Sequence, residues 1–430
     1  MDYKRVVVQW MEFVPPSFKQ RDISVDLESD FIASISGPRR AGKTYLCFQL
    51  MDGLLGKGVP AGNILYLNFE DEKLIGAQAE DIERLMDAFY ELSDVDQRHN
   101  LYLFMDEVQN VTDWDAWVRR IYDTKKNVKL IVTGSSSKLL SREVSTKLRG
   151  RVINHEVFPL SFKEYLSWKG VSYDLRTISD SGGRFELKKL YEQYLANGGY
   201  PAVVSGQAPG DTILQGYYES MIFKDIVERH GMKEVKKLRL LANLLFESAA
   251  KEITYTKLSN KLKSLGLSTS KNTIIEYVSY FEDAYLFFQN IKYDYSITKQ
   301  LGSIKKIYCI DNGLLNAVSF KFAEDRGRLM ENAAYLELKR RGSRVYYHRN
   351  GHECDFLIQE KNQVVCAIQV TETLTEDNEK RELSGLTEAM STHGLKEGLI
   401  LTADQEEERT IDGRKIKILP LWKWLLQDAT

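Results

Sequence analysis

At 430 residues with a formal net charge of −2, the chain is too long for one ordinary core, about three domains being the usual expectation, and too nearly neutral for overall charge to name a partner. Its four cysteines (Cys47, Cys309, Cys354, Cys366) stand far apart with no C-x-x-C pair, which argues against a disulfide framework or a zinc site and for a reduced, cytoplasmic protein. No apolar run approaches the roughly 18–20 residues of a membrane span, and the start, Met1-Asp-Tyr-Lys-Arg5, does not look like a signal peptide, so no membrane is expected.

The first strong element is an apolar run, Phe31–Ser36, that reads as a strand. Gly37-Pro38-Arg39-Arg40-Ala41-Gly42-Lys43-Thr44 follows, with a helix-like stretch from Tyr45 to Met51. Strand, glycine loop, helix is the context in which G-x-x-x-x-G-K-T marks a phosphate site. The glycines let the backbone wrap phosphate oxygens, and the N–H groups at the helix start point at negative charge. The stretch from Gly37 to Tyr45 is therefore the candidate nucleotide cradle. Lys43 is expected on the β- and γ-phosphates of ATP and Thr44 on Mg²⁺; Arg39 and Arg40 either touch phosphate or point outward.

Further buried strands are expected at Ile64–Phe69, Leu101–Asp106, Val128–Thr133 and Val152–Val157. Strands alternating with helices predict an α/β fold: a parallel sheet with helices on both faces. Leu101–Asp106 closes on the acidic pair Asp106-Glu107, where Asp106 would hold the Mg²⁺ shell and Glu107 would polarise the attacking water. After the fourth strand, Ser135 is either a γ-phosphate sensor or the cap of a helix at Lys138-Leu139-Leu140. Arg149-Gly150-Arg151 precedes the fifth strand. Arg151, with Arg149 second, is either an arginine finger for a neighbouring subunit's nucleotide, which requires a dimer or a ring, or part of a solvated basic turn.

These motifs, together with Phe158-Pro-Leu-Ser-Phe-Lys-Glu-Tyr-Leu166 and Gly198-Gly-Tyr-Pro201, make the chain resemble bacterial and archaeal AAA+-like ATPases. Members of that family carry a C-terminal domain of unknown function that resembles a PD-(D/E)xK nuclease. The resemblance implies a strand between the two nucleotide-binding strands, and Glu107 as catalytic carboxylate. It covers nearly the whole chain, and with the element pattern read below the expected division is an ATPase core at 1–158, a helical lid and linker at 159–230, a winged helix at 231–310 and the nuclease-like domain at 311–430.

The lid reading rests on Leu187–Leu195, which has apolar residues at helical spacing and is stopped by Asn197-Gly198-Gly199. Helical stretches follow at 236–250, 256–265 and 271–284, then strands at 287–291 and 305–310. Three helices and a hairpin make a winged helix, and Ser268-Thr-Ser270 suits the cap of its third helix. Residues 232–310 hold thirteen Lys or Arg against seven Asp or Glu. This local excess points to DNA, with Lys257, Lys261, Lys263 and Lys271 on phosphates; the alternative is a module that docks protein.

In the last part a helix at 327–341 carries Glu331, and strands at 345–347, 354–358 and 364–370 carry Asp355 and Gln369. A PD-(D/E)xK core would place Glu331, Asp355 and an E-x-K around Mg²⁺. Here Gln369-Val370-Thr371 replaces E-x-K, and Glu372 falls on the opposite face from Thr371. With no lysine to act as cation, a nuclease-like fold without cleavage is expected. The overall expectation is an oligomeric ATPase in a DNA-binding assembly; a nucleotide-controlled protein adaptor is the alternative.

Overall fold

A computed structural model describes residues 2–137, 148, 150–174, 181–206, 208–319 and 325–428. The chain divides into two compact units, Met1–Val157 and Phe158–Thr430.

In the first unit, α1 (Tyr3–Met11) precedes β1 (Ile32–Ser36), α2 (Lys43–Gly56), β2 (Ile64–Asn68), α3 (Ala79–Leu92), β3 (Leu101–Asp106), α4 (Trp114–Thr124), β4 (Val128–Gly134) and β5 (Val152–Glu156). The sheet order is β2-β3-β4-β1-β5, and every pairing is parallel. β4 thus separates β1 from β3, as the resemblance implies. All six residues of β3 are buried. Alternation sends Leu101, Leu103 and Met105 to a core shared with α3 and α4, and Tyr102 and Phe104 to one shared with α2. Burial on both faces explains why the strands read as continuous apolar runs.

The second unit opens with α5 (Phe162–Trp168), α6 (Ser181–Asn197), α7 (Pro201–Val204) and α8 (Gly210–Ser220), which continues as a π-helical stretch, Met221–Glu228. α9 (Val235–Glu247), β6 (Glu252–Ile253), α10 (Tyr255–Ser264), α11 (Lys271–Asp283), β7 (Phe287–Ile291), α12 (Ile297–Gly302) and β8 (Lys305–Cys309) follow. Their three strands form an antiparallel sheet ordered β6-β8-β7. Then come α13 (Asn312–Val318), α14 (Arg326–Arg340), β9 (Arg344–Arg349), β10 (Glu353–Glu360), β11 (Gln363–Val370), α15 (Glu379–His393), β12 (Glu397–Thr402), β13 (Glu407–Ile411), β14 (Arg414–Pro420) and α16 (Leu421–Trp424). This six-stranded mixed sheet is ordered β13-β14-β12-β11-β10-β9.

The segment expected as a lid packs inside this second unit. Phe162, Tyr165, Tyr191 and Tyr194 share a core with Met330, Phe356 and Trp422. The two motifs most distinctive of the resemblance meet at a joint here. Ser161 and Glu164 form a reciprocal cap on α5. The Leu160 N–H donates to Gly199 O at 2.7 Å, and the Gly199 N–H donates to Asp311 Oδ2 at 2.7 Å. Gly198 lies at φ +73°, and a Cβ there would stand 2.0 Å from Asp311 Oδ1. These glycines serve close packing, not chemistry.

Candidate active site

The loop between β1 and α2 has backbone that side chains would obstruct. A Cβ on Gly37 (φ +151°) would meet Val157 O at 2.1 Å, and Gly42 (φ +100°) turns the chain into α2. Lys43 is buried; its Nζ lies 3.2 Å from Gly37 O, 3.3 Å from Pro38 O and 3.2 Å from Glu107 Oε1. Thr44 Oγ1 donates to Asp106 Oδ2 at 2.7 Å. The arrangement fits the groups the motif implies. Lys43 is held by carbonyls and one acid that an incoming phosphate can outbid, and Thr44 with Asp106 offers the hard oxygen donors Mg²⁺ takes.

β3 and β4 set the acids. Glu107, at φ +52°, holds a conformation costly for a side chain of its size, the kind of strain that gathers at functional sites. Thr133 on β4 donates to Asp106 Oδ1 and accepts the Glu107 N–H at 3.0 Å. Tyr66 on β2 donates to Asp106 Oδ2 at 2.7 Å. Burial, then the Glu107 charge, pushes the Asp106 carboxyl up. Burial would raise Glu107 too, but Lys43, Gln109 and Arg39 outweigh it and hold Glu107 below the usual range. Neighbouring carboxyls are thus driven apart. Sequence reading missed Thr133 and Tyr66. Their signal was positional: each lies on a strand beside β3, Thr133 one step beyond the Met105–Val132 pair and Tyr66 opposite Phe104.

Other predicted residues fall differently. Arg39 pairs with Glu70 at 2.6 Å rather than waiting for phosphate, and Arg40 (φ +66°) and Tyr45 are exposed. Ser135 is buried just past β4; Arg149 and the stretch Lys138-Leu139-Leu140 lie outside the described residues. Arg151 pairs with Asp123 at 2.9 Å and lies over the Tyr122 ring. It precedes Val152, which pairs with Ile32 at the start of β1. The glycine loop begins at the other end of β1, about 17 Å away along the strand. Arg151 therefore cannot serve its own chain's nucleotide.

In the second unit, Lys257, Lys261, Lys263 and Lys271 are exposed. Ser270 caps α11 by accepting from the Thr273 N–H at 3.1 Å, as expected. Glu331 on α14 and Asp355 on β10 do converge. The expectation that this cluster lacks a cation is corrected: Lys306 of β8, outside the E-x-K position, contacts Glu331, Glu353 and Asp355. Gln369 accepts the Asp355 N–H at 3.2 Å and donates to Glu382 at 2.6 Å, while Thr371 stays outside the Lys306 contacts. Among the described residues no helix is long and apolar enough to cross a membrane.

A parallel sheet in this order, with a glycine loop after β1 and an acidic pair after β3, defines a P-loop ATPase. Residues 29–166 match the family described as an AAA domain; residues 188–325 and 326–424 match two domains of unknown function, DUF8612 and DUF4143. The chain is 35% identical over 419 residues to the uncharacterized protein MJ1544 of Methanocaldococcus jannaschii, covering 94% of this chain and 90% of that one. It is 32% identical over 403 residues to an uncharacterized protein of Haemophilus influenzae, covering 93% and 95%. The chain belongs to the family of these two proteins. Among solved structures, the Walker-type ATPase paby2304 of Pyrococcus abyssi is similar at TM-score 0.44 and 12% identity, over 74% of this chain and 94% of that chain.

Proposed function

We propose that this protein binds and hydrolyses Mg·ATP in a homo-oligomer and uses the cycle to change the shape of a DNA-binding assembly. One observation carries the reading: Lys43 reaches Glu107 while Thr44 reaches Asp106, so the phosphate anchor, the metal ligands and the water-activating acid already stand together. Thr44 and Asp106 would hold the ion, which supplies charge neutralisation on the phosphate oxygens. Glu107 stays ionised beside Lys43 and accepts a proton from the attacking water. Thr133 holds Asp106 and the Glu107 backbone in register. The position of Arg151 favours action across a subunit boundary, where it would leave Asp123 for a neighbour's γ-phosphate. Mixing inactive Arg151→Ala with inactive Glu107→Gln tests this. Activity should return in the mixture, and its absence removes the shared site.

Residues 231–310 have the element order of a winged helix, with α11 as the helix that would enter a DNA groove. The four exposed lysines support phosphate contact. Lys251 is held below the usual lysine range chiefly by burial, with Arg328, Lys261 and Lys257 adding to this against Asp325. ATPase rate should rise with duplex or branched DNA and lose that rise steeply with salt. A rate indifferent to DNA would favour the protein-adaptor reading, to which the exposed Leu265 and Ile275 lend weight.

A further inference from the structure

We propose, as a deepening of the ATPase reading on which it rests, that Gln109 is the positioning residue of Glu107: it ties one oxygen of the carboxylate and leaves the other to take a proton from water.

Glu107 follows β3 and starts a short turn, Val108–Asn110. The turn is pinned from two sides. The Asn110 N–H donates to Glu107 O at 3.1 Å, and the Asn110 side chain donates to Phe69 O, just past β2, at 3.3 Å. The Phe69 N–H in turn donates to Asp106 O at 3.0 Å. From this turn Gln109 reaches back, and its Nε2 donates to Glu107 Oε2 at 2.5 Å. Lys43 Nζ stands 3.2 Å from the other oxygen, Oε1. Each oxygen of the carboxylate thus has its own donor.

Two further observations mark this contact as more than packing. First, the amide cannot be reversed. Its oxygen would then meet a carboxylate oxygen, acceptor against acceptor. In the observed sense Gln109 Oε1 is buried and has no partner among the described residues. Buried polar groups ordinarily find partners, so the bond to Glu107 is what fixes this amide while its oxygen goes unused. Second, Gln109 helps to keep Glu107 charged. Burial favours the neutral acid, and Lys43 and then Gln109, ahead of Arg39, outweigh it.

The two donors differ in what a nucleotide does to them. Lys43 is drawn to the β- and γ-phosphates, which frees Oε1. Gln109 carries no charge and sits in a pinned turn, so Oε2 stays tied. The terminal torsion of a glutamate is broad, and without a donor the carboxylate would turn. With Oε2 fixed, Oε1 faces the place that Lys43 has left. The water's proton goes to Oε1 and its oxygen bonds to the γ-phosphorus. The bond from that phosphorus to the bridging oxygen breaks, and ADP leaves with the electron pair. Before a nucleotide arrives both carboxylate oxygens are occupied, and the base is silent.

The test is single-turnover hydrolysis by the full chain, with binding of labelled ATP measured on the same samples. Gln109→Met keeps the length and loses the donor. Gln109→Glu keeps length and polarity but turns the donor into an acceptor. ATP affinity should stay within about twofold in both, which also shows that they fold. Hydrolysis should fall about tenfold in Gln109→Met and further in Gln109→Glu. In a Glu107→Gln background, Gln109→Met should cause no further loss, because the carboxylate it acts through is gone. Wild-type hydrolysis by either single variant overturns the proposal, and so does loss of ATP binding in both. An equal further loss in the Glu107→Gln background, which a packing role would give, overturns it as well. Normal hydrolysis by Glu107→Gln alone removes Glu107 as the base, and the proposal falls with that reading.

Discussion

Lys43 and Lys306 are both buried lysines set among carboxylates, yet they reach their acids from different kinds of backbone. Lys43 stands at the mouth of a glycine loop and leans on two carbonyls and one acid. Lys306 is the second residue of β8, fixed by cross-strand neighbours on both flanks, and meets three acids. In the first unit, backbone N–H groups at the start of α2 remain to receive an anion, so the lysine can be drawn away from Glu107. In the second, the lysine already meets three carboxylates at 2.6–2.9 Å. The same residue types thus make a site ready for ligand in one unit and a closed one in the other. What decides is how many acids already hold the lysine.

The largest effects should follow from breaking the first cluster. Lys43→Ala should abolish nucleotide binding, measured by equilibrium binding of a labelled ATP. Glu107→Gln should keep binding but lower turnover by about 10²–10⁴-fold, because the acid that accepts the proton becomes a neutral amide. Normal turnover in that variant would remove Glu107 as the base. Thr133→Val comes next. It deletes the hydroxyl that joins Asp106 to the Glu107 N–H and should cost roughly tenfold in kcat with little change in KM. Thr133→Ser should restore most of it, an outcome that a mere packing role for Thr133 does not predict.

How much of this was legible beforehand follows a physical line. The loop, the acidic pair and the parallel sheet were readable because their signals are local: glycines at fixed spacing and runs buried on both faces. Thr133 and Lys306 were not. Each acts on a partner 27 to 49 residues away through strand register, which no window of sequence displays. The lysine missing from Thr371 was sought in its usual place, whereas the fold supplies a cation from another sheet. Nor did the sequence distinguish a motif that packs from one that reacts. Gly198-Gly199 was readable as a helix stop and as a mark of the family, but not as a joint whose constraint is the space that Asp311 and Leu160 leave.

That joint gives the smaller prediction, and it tests how far the second unit depends on buried acids other than those around Lys306. Asp311 is fully buried, accepts from the Gly199 and Leu314 N–H groups, and has its pKa pushed up to about 6, chiefly by burial. The folded state therefore holds this proton more tightly than the unfolded chain, whose pKa is 3.8. The contribution is fully present below pH ~4 and is lost as pH rises through about 6, a difference of about 3 kcal/mol. Other carboxylates act in the opposite direction, so the wild type alone does not isolate it. Asp311→Asn removes the titration while keeping one acceptor. Melting followed from pH 4 to 8 should show the gap between wild type and variant shifting against the wild type across the pH 4–6 window, then staying level. A constant gap across that window would mean that Asp311 stays ionised in the fold and that its two N–H donors outweigh its burial.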